Sequence, residues 1–226
     1  MSRLPVDPRW FDLLQGAAKK QHYDWLAQLS PLVDKVANFG CFNSSESFLL
    51  LWILDASEVV VAEKEAKNIT QTRDQLTSLQ QLSQSEPSDY FGCLDGRFVE
   101  FVSPADMTRG VVELASGRYD LAYCDDVLYQ IDIHSGRQKV HNAILEMKRV
   151  VKPGGWVIAV EDKIGAQIRE IPNEPLSMLS RHAIMCPMRV SDPDDISPLF
   201  EAAGLSRVGL NGAPEWSYCY KKPLTS

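Results

Sequence analysis

The chain has 226 residues, 45% of them apolar and 23% charged, enough for one α/β domain with a sizeable core and, at most, a small cap; this is not the composition of a disordered or fibrous protein. A net charge of -7, with no run of Lys or Arg longer than two, argues against a nucleic-acid backbone as partner, because such a partner wants a basic face. Five widely spaced cysteines without a C-x-x-C pair argue against a disulfide framework or a structural metal and for reduced thiols in a cytoplasm, and the longest apolar run, 48–54, is too short to span a bilayer.

Residues 1–10 are polar and proline-containing, unlike a secretory leader. Trp10, Leu13, Leu14, Ala17, Ala18, Tyr23, Trp25, Leu26 and Leu29 recur at helical spacing and predict one or two helices over 8–29, ended by Pro31. Residues 1–31 thus read as an N-terminal helical cap on the main domain at 32–226, its apolar face with Trp10, Phe11, Tyr23 and Trp25 packed on the sheet or, as the alternative, forming a lid over the substrate. A strand is expected at 33–39, then a Gly40 turn and an apolar helix at 44–54 capped by serine. A strand at 58–62, a polar helix at 65–82, a Ser/Pro/Asp/Gly loop at 83–96 and a strand at 98–102 come after it. Next are a short helix at 108–114, a strand at 120–124 and a long amphipathic helix at 135–151. That helix stops at Lys152-Pro153-Gly154-Gly155, ahead of a strand at 156–160. Residues 163–190, with three prolines, read as a candidate substrate lid in which Met178, Met185 and Met188 form an adaptable apolar wall. A helix at 194–203, capped by Asp192 or Asp194 and closed by Gly204, precedes strands at 205–210 and 216–220. This alternation predicts a Rossmann-like α/β sheet, mostly parallel, with helices on both faces. The last two strands are joined too closely for a parallel crossover, so one of them must run antiparallel.

In such a sheet a ligand lies across the carboxyl ends of the strands. The Gly40 turn lets a ligand approach backbone N–H groups, and Glu63, closing the next strand about twenty residues on, can accept both hydroxyls of a ribose. The first strand leads into Gly40-Cys41-Phe42-Asn43, the second into Glu63-Lys64, the third shortly afterwards into Asp106-Met107, and the fourth into Asp125-Asp126. Three of these groups carry carboxylates, which suits an adenosine bearing a positive centre and repels a pyrophosphate. Asp106 has a second reading, as the cap of the helix expected at 108. A nicotinamide-dependent oxidoreductase would want G-x-G-x-x-G, which is absent.

YDLAYCDDVLYQI at 119–131, ILEMKRVVKPGGWVIAVED at 144–162 and DPDDISPLFEAAGLSRVGL at 192–210 resemble the fourth-strand, fifth-strand and last-helix segments of the class I S-adenosylmethionine-dependent methyltransferases. The resemblance implies a seven-stranded sheet with its last strand antiparallel and S-adenosylmethionine as cofactor. It implies that Gly40 and Cys41 lie under the methionine portion and that Glu63, beside Lys64, binds the ribose. Asp106 would accept from the adenine amino group while Met107 packs on the ring, and Cys124 or Asp125 would face the ammonium or sulfonium. The chain departs from the family at Phe42 and Ser44, where the first motif usually carries glycine; Asn43 and Ser44 can still donate hydrogen bonds there.

Tyr129 and His134 are the candidate acid–base groups, although transfer from a sulfonium to a competent nucleophile needs only proximity and alignment. The Asn-Pro-Pro-aromatic signature of relatives that methylate base amines is missing after the fourth strand, where Asp125-Asp126-Val127-Leu128 stands. The expected activity is therefore methyl transfer to a small molecule, with no metal. The departure at Phe42 and Ser44 leaves a second reading, a non-catalytic protein of this fold acting as a binding partner or scaffold.

Overall fold

A computed structural model describes residues 25–40, 46–70, 98–161, 196–213 and 217–224. Seven strands form one sheet in the order β3-β2-β1-β4-β5-β7-β6. They are β1 (Lys35–Phe39), β2 (Glu58–Ala62), β3 (Phe98–Val102), β4 (Tyr119–Asp125), β5 (Val151–Val160), β6 (Ser206–Arg207) and β7 (Ser217–Lys221). The first five run parallel, and β7 pairs antiparallel with both β5 and β6, as the short final link requires. The central strands are buried on both faces, which explains their unbroken apolar runs, Val59-Val60-Val61-Ala62 among them.

Alternate residues feed two cores. Val36, Val59, Val61, Leu121 and Tyr123 pack under helix α1 (Glu46–Ile53) and a 3₁₀ segment, Trp25–Leu32. Ala37, Phe39, Val60, Ala62, Ala122 and Cys124 pack under the helices that come after β4 and under α4 (Ser197–Ala202). Trp25, Leu26 and Leu29 are buried in the first core. Pro31 lies inside the 3₁₀ segment instead of ending a helix; its fixed φ suits that geometry, and its missing N–H forfeits only one bond near the segment's end.

Three expectations are corrected after β3. Residues 108–114 form turns, not a helix. Asp106 Oδ1 accepts from Thr108 N (3.0 Å) and Thr108 Oγ1 (2.8 Å), and Gly110 takes a left-handed φ of 89°. The carbonyls of Val111 and Leu114 are claimed by Arg149, so side chains from elsewhere satisfy the backbone that a helix would have paired. The long helix expected at 135–151 is present as α3 (Arg137–Val150), but an unforeseen helix, α2 (Val127–Ser135), precedes it, set off by Gly136 at φ 81°. Strand β5 begins at Val151, and Lys152-Pro153-Gly154-Gly155 form an irregularity within it where the register with β4 shifts. Strand β6 spans only Ser206–Arg207. The helix closed by Gly204 (φ 70°) is present as α4.

The helix expected at 65–82 is described only over 66–70. The helices expected before residue 25, the serine caps at 44 and 45, the loop at 83–96, the lid at 163–190 and the caps Asp192 and Asp194 lie outside the described residues. No helix among the described residues is long and apolar enough to cross a membrane.

Candidate functional site

The carboxyl ends of β1, β2 and β3 are stitched together beyond their ladders. Gly40 N donates to Ala62 O (2.9 Å), Glu63 N to Val102 O (3.0 Å) and Ala105 N to Glu63 O (3.0 Å). Above them lies a cleft of about 230 Å³. The strand ends contribute Gly40, Ala62, Glu63 and Lys64; the segment after β3 contributes Ala105, Asp106, Met107, Thr108 and Arg109; α2 and the start of α3 contribute Val127, Ile131, Ser135 and Lys139.

Gly40, Glu63, Lys64, Asp106 and Met107, far apart in sequence, therefore meet at one cleft. Glu63 is 5% exposed, and its Oε1 accepts from Glu65 N at 2.8 Å, which fixes the carboxylate at the strand end. Asp106 holds its own turn through Thr108 and lies 3.6 Å from Arg109 Nε. Burial alone would push its carboxyl up, but the Thr108 bonds and the charges of Lys64 and Arg109 together carry it below its ordinary value. Its capping reading thus describes its observed contacts, on a turn instead of a helix.

Cys124 is not brought to the cleft: strand alternation sends its thiol into the second core, 3.9 Å from Met147 Sδ beneath α3. Asp125, Tyr129 and His134 do not line the cleft either, and His134 is exposed at the end of α2. Cys41, Phe42 and Asn43 lie outside the described residues. The sequence reading missed Val127, Ile131 and Ser135, because α2 has no regular apolar stripe and no local cap to announce it, and it also missed Lys139 on the expected helix α3. The cleft is also less acidic than expected, with Lys64, Arg109 and Lys139 beside Glu63 and Asp106.

A third carboxylate, Glu161, was missed as well, although it closes the apolar end of β5 much as Glu63 closes β2. Burial, and then the charges of Asp126 and Asp125, push its carboxyl well above the ordinary 4.5, against the pull of backbone N–H bonds from Tyr129 and Leu128. A folded value above the unfolded one gives stability that is complete below the unfolded value and is lost as pH rises through the folded value. Melting curves of wild type and Glu161→Gln should therefore diverge in the variant's favour as pH rises from about 4.5. A gap between them that does not change with pH would show that the carboxyl titrates normally.

A sequence pattern described as "Methyltransferase domain" matches residues 54–159, from the end of α1 through β5. This match, with the fold, supports the class I S-adenosylmethionine-dependent methyltransferase family. S-adenosylmethionine is the cofactor of that family, and the strand order with its antiparallel β7 is that of its Rossmann-like fold. Among solved structures, this chain is similar to an S-adenosylmethionine-dependent methyltransferase from Clostridium acetobutylicum (11% identity, TM-score 0.62, 95% of this chain and 97% of that one). It is also similar to a SAM-dependent methyltransferase from Aquifex aeolicus (14%, 0.53, 96% and 97%) and to an O-methyltransferase family protein from Burkholderia thailandensis (14%, 0.58, 92% and 57%). The chain thus spans about half the length of the Burkholderia protein. At these identities the likeness is one of fold. No curated protein matches by sequence.

The residues present fit an adenosine. Met107, Val127 and Ile131 supply apolar surface for a base, and the buried Glu63 supplies a carboxylate for hydroxyls. Gly40, at φ 76°, has room for no side chain. Among the described residues no cluster of His, Cys, Asp and Glu is arranged to hold a metal ion.

Proposed function

We propose that the protein transfers a methyl group from S-adenosylmethionine to a small-molecule acceptor, with the cofactor in the cleft at the ends of β1, β2 and β3. The observation that supports this is the meeting of Gly40 and Glu63 in one cleft with Met107 and Asp106. In this reading Glu63 accepts the ribose hydroxyls, Met107 and Ile131 flank the adenine, and Asp106 accepts from its amino group while also holding its turn. Lys64 borders the ribose, and Gly40 lets the chain pass close to the methionine portion. Cys41, Phe42 and Asn43 join the site by their place after Gly40.

S-adenosylmethionine supplies an electrophilic methyl on a sulfonium. The protein's task is then to hold that methyl in line with an acceptor and to exclude water, which accounts for most of the rate when the acceptor is already nucleophilic. No described side chain in the cleft has the placement of a dedicated base, and the reaction does not require one. The acidic net charge of -7 and the sequence after β4 favour a small acceptor over a nucleic acid. The buried thiols of Cys124 and Cys219 fit a reducing cytoplasm.

Titration calorimetry with S-adenosylmethionine and S-adenosylhomocysteine tests the proposal directly. Binding is expected for both, and silence at millimolar ligand would leave the non-catalytic scaffold as the better reading. Glu63→Ala should weaken binding by about 1–3 kcal/mol, the cost of losing hydrogen bonds to a charged group. Unchanged affinity in a folded variant would remove Glu63 from the site.

A further inference from the structure

Helix α2 owes its placement to a side chain more than thirty residues further along the chain. The Glu161 carboxylate, 6% exposed, accepts from Leu128 N through Oε1 and from Tyr129 N through Oε2, each at 3.1 Å. These are two of the amides that every helix leaves unpaired in its first turn. No local side chain serves them: Asp126, which precedes the helix, adopts a left-handed φ of 56° and makes no capping bond. Its own N–H donates to Val160 O at 2.8 Å, so the turn is tied to β5 at two points. The same helix sets Val127 against Gly40, with Val127 Cγ2 2.6 Å from where a Cβ on Gly40 would lie, and presents Val127, Ile131 and Ser135 to the cleft. A continuous path runs from Glu161 through two amides to the cleft wall.

We infer that Glu161 is a positioning residue for the cofactor cleft, its carboxylate fixing where α2 stands against Gly40. The inference rests on the reading of the cleft as the S-adenosylmethionine site. A buried carboxylate is a costly way to cap a helix, and a serine or aspartate side chain bonding from the position of Asp126 would serve local stability with a smaller desolvation penalty. What the remote carboxylate adds is a fixed relation between α2 and the strand ends.

Glu161→Gln keeps the size and one acceptor oxygen but turns an NH₂ toward one of the amides. Glu161→Asp keeps the carboxyl group and both oxygens on a shorter arm. Two measurements are made on each folded variant: hydrogen exchange of the ligand-free protein, and calorimetry with S-adenosylhomocysteine. For Glu161→Gln the expected result is faster exchange confined to the start of α2 and binding weakened about tenfold, with Glu161→Asp in between. Unchanged exchange at Leu128 and Tyr129 would overturn the anchor. Faster exchange with affinity within about twofold of wild type would overturn its connection to the cleft. Wild-type protein that binds no S-adenosylhomocysteine would instead overturn the cofactor reading and this inference with it, while the exchange data would still report on the anchor separately.

Discussion

Gly40→Ala is expected to destabilise the protein by about 2–5 kcal/mol, the sum of two separable costs. The first is conformational. Gly40 sits at φ 76°, where a Cβ crowds the following carbonyl, at about 1–2 kcal/mol. The second is steric. The new Cβ would stand 2.6 Å from Val127 Cγ2, and overpacking of this kind costs about 1–3 kcal/mol. Val127 has no easy escape, because it is a short β-branched side chain on the first turn of a helix whose amides are held by Glu161. Urea unfolding of Gly40→Ala, Val127→Ala and the double variant separates the two terms. The double variant should recover the steric part and keep the conformational part. A loss below about 1 kcal/mol in the single variant would mean that the β1 turn tolerates a side chain, and the approach of a ligand to it would lose its physical basis. In the proposed function the same substitution also lowers cofactor affinity, since any relief must come from moving α2, which lines the cleft.

What was legible in the sequence was local. The bounds of β2 and β3 could be read directly because their apolar runs are bracketed by charged or small residues. The antiparallel β7 was foreseeable from a link too short for a crossover. Gly40 and Glu63 could be paired because a strand, a turn, a helix and a strand fix their relation within one short unit.

What failed was set by distant partners. Helix α2 carries Leu128, Tyr129 and Ile131 without a regular stripe, and its cap arrives from the end of β5. The turns after β3 are held by groups on α3. Cys124 shows the opposite fault. Strand parity, available from Leu121 and Tyr123 on one face and Ala122 on the other, places it in the second core, away from the cleft. The residues that line the cleft from α2 were thus hidden for the same reason that the helix was.

The largest effect expected away from the cleft is at Arg149. Its guanidinium donates to Glu146 through Nε and Nη2 (2.7 Å each), to Val111 O (2.9 Å), to Leu114 O (2.7 Å) and to Ser116 Oγ (2.7 Å). Glu146, its side chain 5% exposed, also accepts from Val111 N at 2.8 Å. The hydrogen bond to Glu146 raises the Arg149 pKa against the opposing pull of burial, so the guanidinium stays charged throughout the working range. Arg149→Met would strand a buried carboxylate and release two carbonyls, at about 3–5 kcal/mol for a pair broken from one side. The lower end, about 3 kcal/mol, is expected because the Arg149 side chain is 35% exposed and water can reach the vacated space. Arg149→Met combined with Glu146→Leu should recover most of the loss, since an apolar pair of similar volume replaces a buried ion pair at little net cost. The turns that Arg149 holds continue directly from the segment that brings Asp106 and Met107 to the cleft. Arg149→Met should therefore weaken S-adenosylhomocysteine binding as well as stability. The double variant should restore stability more fully than binding, because Glu146→Leu takes away the acceptor of Val111 N. Equal recovery of both in urea unfolding and calorimetry would show that the turns find their place without the polar clamp.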